Sequence, residues 1–316
     1  MKLVVITGCL GLIGSHLTKK CLELGWQVYG IDNLTYAANQ HLVPLFEKYD
    51  NFTFIKADIA TLKYLPDCDY VINVAAESHV GNSIVESEDF IHTNVGGVKN
   101  LLDLIRKKQK NVDDLPVFLH FSTDEVYGDI TEGSHTELDI LNPSNPYSAS
   151  KACSDMLILA WSRTYKMKYV IVRPTNNYGV GQYPEKLIPI SVKMLQRGKK
   201  IKLHDEGEPS RNWLHADDTA SAVITIIESG NTNQIYNIAG GFEQKNKQTV
   251  NKIVQCYFED GRDSRDYVDL GFKREGQDVR YSLDDSKLRA LGWEPKKNFD
   301  DELQNIVEFY KNNFKW

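Results

Sequence analysis

The sequence predicts an α/β protein: a Rossmann-type doubly wound parallel sheet with a smaller C-terminal substrate-binding lobe. Three observations predict it. Short β-branched runs at residues 2–6, 27–31, 52–56 and 70–74 alternate with helical stretches, the pattern of successive βαβ units. The first run leads into Gly8, Gly11 and Gly14 and then a helix, the context of a dinucleotide-binding turn. The second run ends at Asp32, where such folds hold a ribose-binding carboxylate.

Composition narrows the class. With 316 residues the chain can bury a large core, in one large domain or two modest ones. The expected division is a dinucleotide-binding domain with the catalytic residues over 1–174 and a mainly substrate-binding lobe over 175–316, the chain free to cross between them. Charged residues are 25% and hydrophobic residues 41%, ordinary for a globular protein. A net charge of -6 leaves no electrostatic footprint for nucleic acid. The five cysteines are odd in number, scattered and never paired as Cys-x-x-Cys. They argue against a disulfide scaffold and a metal site, and for a reducing compartment. No apolar run approaches the roughly 20 residues of a membrane span, and the opening residues lack the basic region and apolar core of a secretory signal. A cytoplasmic protein with no nucleic-acid or membrane partner is expected.

Taken in order, each element adds a function. Gly8 permits a tight turn, Gly11 lets the backbone approach a pyrophosphate at a helix N-terminus, and Gly14 lets that helix pack close to the strand. Leu12 and Ile13 complete the turn as cofactor contacts. The spacing is Gly-x-x-Gly-x-x-Gly, which alone fits a structural loop equally well. Asp32 adds a carboxylate that accepts both ribose hydroxyls and repels a 2′-phosphate, favouring NAD over NADP; alone, it would also serve as a turn cap. Asp58 and Ile59 follow the third run, with Asp58 in reach of an adenine amino group. Ala75 and Ala76 follow the fourth as a floor for close cofactor approach. His79 fits a satisfied loop histidine better than a catalyst. A helix is expected over 90–108.

The apolar run 115–121 then ends abruptly in Ser122, Thr123, Asp124 and Glu125. A buried strand ending in hydroxyls and carboxylates matches the C-terminal edge of a parallel sheet, where open α/β folds hold ligands. Read alone, the cluster is a polar turn. In a closed pocket the adjacent carboxylates repel, so one holds its proton while the other ionises, giving an acid and a base side by side. A helix is expected over 150–165, and Tyr147 and Lys151 lie four apart, one helical turn. The ammonium is expected to lower the phenol from about 10 toward neutrality. A phenolate beside a nicotinamide can remove a hydroxyl proton while carbon gives up hydride. Beyond residue 174, polar and basic segments suggest a clamp for an anionic substrate. Arg211 and Arg274 are the best diphosphate ligands, since guanidinium pairs bidentately with phosphate; each also fits a solvated surface arginine. Residues 300–316 read as a closing amphipathic helix.

Together these residues resemble the extended short-chain dehydrogenase/reductases, and more closely the nucleotide-sugar 4,6-dehydratases. The resemblance covers nearly the whole chain. Its most specific parts are Ala75-Ala76-Glu77-Ser78-His79-Val80, Ser122-Thr123-Asp124-Glu125-Val126-Tyr127-Gly128, Pro146-Tyr147-Ser148-Ala149-Ser150-Lys151 and Asn176-Asn177-Tyr178-Gly179. The Asp-Glu pair after Thr123 separates them from sugar epimerases of the same fold, which lack it. The resemblance implies a lyase with tightly bound NAD. Tyr147, helped by Lys151 and Thr123, takes the 4-hydroxyl proton, Glu125 removes the C5 proton and Asp124 protonates the leaving 6-hydroxyl. It implies a nucleotide-diphospho-sugar substrate held by Ser83, Asn176, Lys186, His204, Arg211, Asn246 and Arg274, and a homodimer formed through helices at about 90–108 and 150–165. A dehydratase with 5-epimerase activity and a 4-epimerase or decarboxylase are the alternative activities, and a catalytically silent dinucleotide-binding scaffold or regulatory protein is the alternative from another class.

Departures from the family pattern bear on the substrate. Gly81 and Asn82 stand where the family usually carries Asp-Arg, which reads as room for a bulkier 2-substituent such as an acetamido group. His204 and Gln277 replace a tyrosine and a histidine of thymidine-specific relatives, making uridine at least as good a candidate base.

Overall fold

The computed structural model describes residues 1–108, 115–272 and 278–312. The β-branched runs form β1 (Leu3–Thr7), β2 (Gln27–Asp32), β3 (Phe52–Lys56) and β4 (Tyr70–Asn73), followed by β5 (Val117–Phe121) and β6 (Tyr169–Pro174). β7 (Asn176–Tyr178), β8 (Ile201–His204) and β9 (Ser210–His215) come next, and then β10 (Gln234–Ile238) returns to pair with β6. The main sheet is seven-stranded, in the order β10-β6-β5-β4-β1-β2-β3, with every pair parallel. It therefore draws on residues from both sides of position 174.

Hydrophobic faces explain the layering. A parallel sheet covered on both sides needs apolar residues on both faces of its strands, and β5 is buried at every position. On one face Val4, Ile6 and Val172 pack with Leu17 and Cys21 of the Leu12–Glu23 helix and with Val223 and Ile227 of the Ala216–Ser229 helix. On the other, Val5, Val71 and Ile171 meet Leu101 and Ile105 of the Val98–Lys107 helix and Ile158 of the Pro146–Tyr165 helix. Each fully buried Leu, Ile or Val contributes about 1.5–3 kcal/mol of transfer free energy. From β1 the chain runs outward through β2 and β3, then returns to β4 on the other side of β1. That reversal opens a crevice at the strand C-termini.

β11 (Phe242–Lys245) joins β9 and β7, and β12 (Val268–Phe272) pairs with β8. A separate core of Tyr178, Val192, Trp213, Val250, Phe299 and Ile306 lies among the helices Leu187–Gln196, Asn246–Phe258 and Phe299–Asn312. The last of these is the closing amphipathic helix read from the sequence, within the described residues. No helix among the described residues is long and apolar enough to cross a membrane.

Two helices differ from their sequence reading. The stretch expected over 90–108 begins at Glu88–Phe90, passes through wide π-helical turns at Ile91–Gly97 and continues as Val98–Lys107. At Gly97 a Cβ would meet the Ile59 side chain at 2.5 Å, so the wide turns bring the backbone against Ile59. The helix expected over 150–165 spans Pro146–Tyr165. Asn145 and Ser148 form a reciprocal capping box, and Pro146 needs no N–H at the first turn. The helix thus starts at Asn145-Pro146, and Tyr147 stands on the same rigid element as Lys151.

Candidate active site

The crevice at the ends of β1 and β4 is a cleft of about 320 Å³. Gly8, Gly11, Leu12, Ile13, Gly14, Asp32, Asp58, Ile59, Ala75 and Ala76 all line it. A Cβ at Gly14 would stand 1.9 Å from the Gly8 carbonyl oxygen, and one at Gly8 2.7 Å from the Ala75 nitrogen. These two glycines let helix, turn and β4 edge approach one another. At Gly11 a Cβ would meet no described atom closer than the Gly8 oxygen at 3.5 Å. What Gly11 leaves clear is the cleft itself. Asp32 is buried, with its carboxylate accepting from the Leu10 N–H (3.1 Å) and the Leu34 N–H (2.9 Å). Each oxygen keeps a lone pair for a further donor, so capping and ribose binding are compatible. Asp58 accepts from the Ala60 N–H at 2.8 Å and lies 3.2 Å from His92 Nε2. A glycine cradle at a helix N-terminus, flanked by a buried carboxylate, fits a dinucleotide.

Thr123, Asp124, Glu125, Tyr147 and Lys151 line the same cleft. Thr123 leaves the end of β5 in an extended conformation and its hydroxyl accepts from the Glu125 N–H, turning the next residues into a single tight helical turn, Asp124–Tyr127. The same hydroxyl donates to Asp124 Oδ1 at 3.1 Å. Asp124 Oδ2 is buried and has no partner among the described residues. Glu125 Oε2 lies 3.4 Å from Asn145 Nδ2 and 3.5 Å from the Tyr281 hydroxyl, which donates to Asp278. The Tyr147 N–H donates to Ser83 Oγ at 3.2 Å, and its ring meets Phe90 edge-on at 6.4 Å.

Burial sets the charges. It pushes the Asp124 carboxyl up to about 8, with the Glu125 charge adding to the rise and the Thr123 and Arg211 contacts opposing it. Burial also raises Glu125, but Arg211, Asn145 and Lys186 pull it back. Both carboxyls are thus raised by burial, and opposing charges and hydrogen bonds act on each. Tyr147 is a correction. Burial and the charge of Glu125 push the phenol up, the Thr123 hydroxyl lowers it only partly, and Lys151 does not bring it toward neutrality. Burial lowers Lys151 itself to about 8, because a low-dielectric site penalises every charge within it.

The substrate-binding candidates separate. Asn176 and Lys186 line the cleft. Asn176 Oδ1 is buried without a partner among the described residues, whereas Lys186 Nζ donates to the Ser78 carbonyl at 2.9 Å. Ser83 lies behind Tyr147. Arg211 is outside the cleft lining, with its guanidinium donating to the Ser210 and Asp278 carbonyls and lying over the Tyr281 ring. It reaches the site through its charge on Asp124 and Glu125. His204 ends β8, exposed and edge-on to Phe272, while Asn246 opens the Asn246–Phe258 helix with its N–H on the Pro209 carbonyl. Arg274 and Gln277 lie outside the described residues. His79 caps the Val80–Val85 helix by accepting from the Asn82 N–H, the bland role read for it. Sequence reasoning missed Asn145, although its Asn-Pro signature was available. It also missed Tyr281, which no local pattern marks. Tyr183, which lines the cleft, meets the Tyr36 ring edge-on at 5.1 Å.

Comparison with known proteins adds independent findings. The family model described as GDP-mannose 4,6 dehydratase matches residues 5–306. The dTDP-glucose 4,6-dehydratase of Haemophilus influenzae is 38% identical over 330 residues, covering 97% of each chain. The low-salt glycan biosynthesis protein Agl12 of Haloferax volcanii is 36% identical over 312 residues, 97% of this chain and 98% of that one. The dTDP-glucose 4,6-dehydratase of Streptomyces venezuelae, solved with NAD bound, superposes with a TM-score of 0.91 at 35% identity, covering 98% of this chain and 97% of that one. A UDP-N-acetylglucosamine 4-epimerase of Methanobrevibacter ruminantium shares the fold at 25% identity and a TM-score of 0.85, covering 98% of each. Matches of this extent place the chain in the nucleotide-sugar 4,6-dehydratase family, hydro-lyases built on the extended short-chain dehydrogenase/reductase fold.

Proposed function

We propose that the protein is a cytoplasmic, NAD-dependent nucleotide-hexose 4,6-dehydratase that converts a UDP- or dTDP-linked gluco-configured sugar to its 4-keto-6-deoxy form. The observation that carries this reading is the buried acid-base pair. Asp124 holds its proton, and Oδ2 has no partner among the described residues, beside a Glu125 whose ionisation Arg211 supports. A 4-epimerase has no use for this second acid and base. NAD, when bound, supplies the hydride acceptor at C4 and donor at C6, and a positive ring charge that opposes the effect of burial on the Tyr147 phenol. Tyr147, ionised with the help of that ring charge and of the Thr123 hydroxyl, which lowers the phenol, takes the proton of the 4-hydroxyl. The 4-ketone acidifies the C5 hydrogen, and Glu125 removes it as a proton. Asp124 gives its proton to the 6-hydroxyl, which leaves as water. Reprotonation at C5 completes the product with no external reductant consumed. Asn176 and Lys186 contact the nucleotide diphosphate, and Arg211 holds the local potential positive.

The signs of the shifts fix a pH dependence. Asp124 must keep its proton, so turnover falls as pH rises through about 8, where Lys151 also loses its charge. Glu125 must be ionised, so turnover falls again as pH drops through its raised pKa. Asp124→Asn is expected to lower kcat by about 10²–10³-fold, within the usual range for a general acid, and to make the alkaline limb shallower. An unaltered limb and rate in steady-state assays would remove Asp124 from its role.

A second reading is favoured by Gly81 and Asn82. They occupy the first turn of the Val80–Val85 helix, whose Ser83 holds the Tyr147 backbone. Small side chains there favour UDP-N-acetylglucosamine, with C5 inversion read from the product by NMR. For assembly, Ile91 and Met156 are half-exposed on two mutually packed helical segments, and a second copy of the chain would cover them. Sedimentation should give a dimer that Met156→Glu dissociates; a monomeric wild type would refute this.

A further inference from the structure

A buried carboxylate with no task in the reaction stands behind the catalytic cluster. Asp155 lies one turn beyond Lys151 on the Pro146–Tyr165 helix and is fully buried. Its Oδ2 accepts from Ser122 Oγ at 3.1 Å, Arg173 Nε at 3.1 Å and Arg173 Nη2 at 2.9 Å. Its Oδ1 is buried and has no partner among the described residues. Arg173, on β6, is 2% exposed. It donates Nη1 to the Tyr127 hydroxyl at 2.6 Å and lies over that ring at 4.7 Å, and Tyr127 donates onward to Asn237 Oδ1 of β10 at 2.9 Å. Ser122 and Tyr127 bracket Thr123, Asp124 and Glu125 along the chain. One buried ion pair therefore ties the catalytic turn to the helix of Tyr147 and Lys151 and to β6 and β10.

Stability alone does not account for such a pair, since apolar residues of similar volume often serve a core as well. Its neighbours suggest another reason. Among the described residues, Lys151 acts electrostatically on His120 of β5 and on Asp155 of its own helix; Tyr147 lies one turn away on that helix, and Arg173 of β6 is paired with Asp155. His120 is kept neutral by burial and by the charges of Lys151 and Arg173. Asp155 is the anion that offsets the burial of Lys151.

We propose that Asp155, charge-balanced by Arg173, is a positioning residue that stands as the buried counter-charge one helical turn from Lys151 and fixes the catalytic turn against the helix of Tyr147. It rests on the dehydratase reading only in giving Lys151 a task; its charge effect does not depend on substrate. The test is an NMR titration of the protein with labelled lysine side-chain carbons, the Lys151 resonance being assigned by its loss in Lys151→Met. In Asp155→Asn the Lys151 midpoint should fall by on the order of one pH unit or more, and the alkaline limb of turnover should move down with it. Should that variant fail to fold, Asp155→Asn/Arg173→Gln removes both charges together. There the midpoint should still fall, because the Asp155 charge that raises Lys151 is gone. A Lys151 midpoint unmoved in the variant that folds would overturn the proposal and leave the pair a structural brace. A wild type that releases no water from any nucleotide sugar, with the midpoint shifting as stated, would defeat the dehydratase reading and leave this one standing.

Discussion

Glu125→Gln should abolish elimination while sparing the oxidation that precedes it. The amide keeps the shape of the side chain but cannot accept the C5 proton. Water loss should fall by about 10²–10⁴-fold, the usual contribution of a positioned base. Because Tyr147 and Lys151 are untouched, reduced nicotinamide should build up in its near-ultraviolet absorbance when substrate is added. The substitution also removes a charge that raises both Asp124 and Tyr147. Both groups should therefore titrate lower, and any residual activity should lose its alkaline limb at lower pH than wild type. Stopped-flow absorbance with product analysis reads both effects. Unchanged turnover would sink the assigned role.

Tyr147→Phe should stop the reaction one step earlier. The ring can keep its edge-on contact with Phe90, and the backbone N–H its bond to Ser83, so the fold should survive. Without the hydroxyl nothing removes the 4-hydroxyl proton, and kcat should fall by about 10²–10⁴-fold. No reduced nicotinamide should appear, in contrast to Glu125→Gln. If it accumulated equally in both variants, Tyr147 would not be the proton acceptor. The two substitutions thus separate oxidation from elimination by one spectroscopic signal.

How much of this was legible in the sequence depended on range. Patterns carried by neighbouring residues translated directly: the glycine turn, the Asp32 strand end, and an apolar β5 breaking into Thr123, Asp124 and Glu125. Each is a local arrangement of strand, turn and helix, and the fold had only to bring the edges together. The Tyr147–Lys151 spacing was also legible, but its electrostatic consequence was not. Burial of Tyr147 and the charge of Glu125 from another element set the phenol. Contacts distant in sequence had no local signal. Tyr281 reaches Glu125 across 156 positions, and Arg173 meets Tyr127 across 46. β10 rejoins the main sheet after a long excursion that composition does not mark. The surroundings of Arg211 and His204 were likewise not legible: Arg211 donates to carbonyl oxygens and lies over the Tyr281 ring, and His204 stands at an exposed strand end.

The most direct test of the central claim uses a nucleotide sugar deuterated at C4, with dTDP-glucose, UDP-glucose and UDP-N-acetylglucosamine run in parallel and their products analysed by mass spectrometry. An internal redox cycle predicts, from at least one of them, a product lighter by one water that retains the deuterium, now at C6. The fastest substrate then identifies the base and the 2-substituent together. A product of unchanged mass inverted at C4 would instead establish an epimerase and contradict the roles given to Asp124 and Glu125.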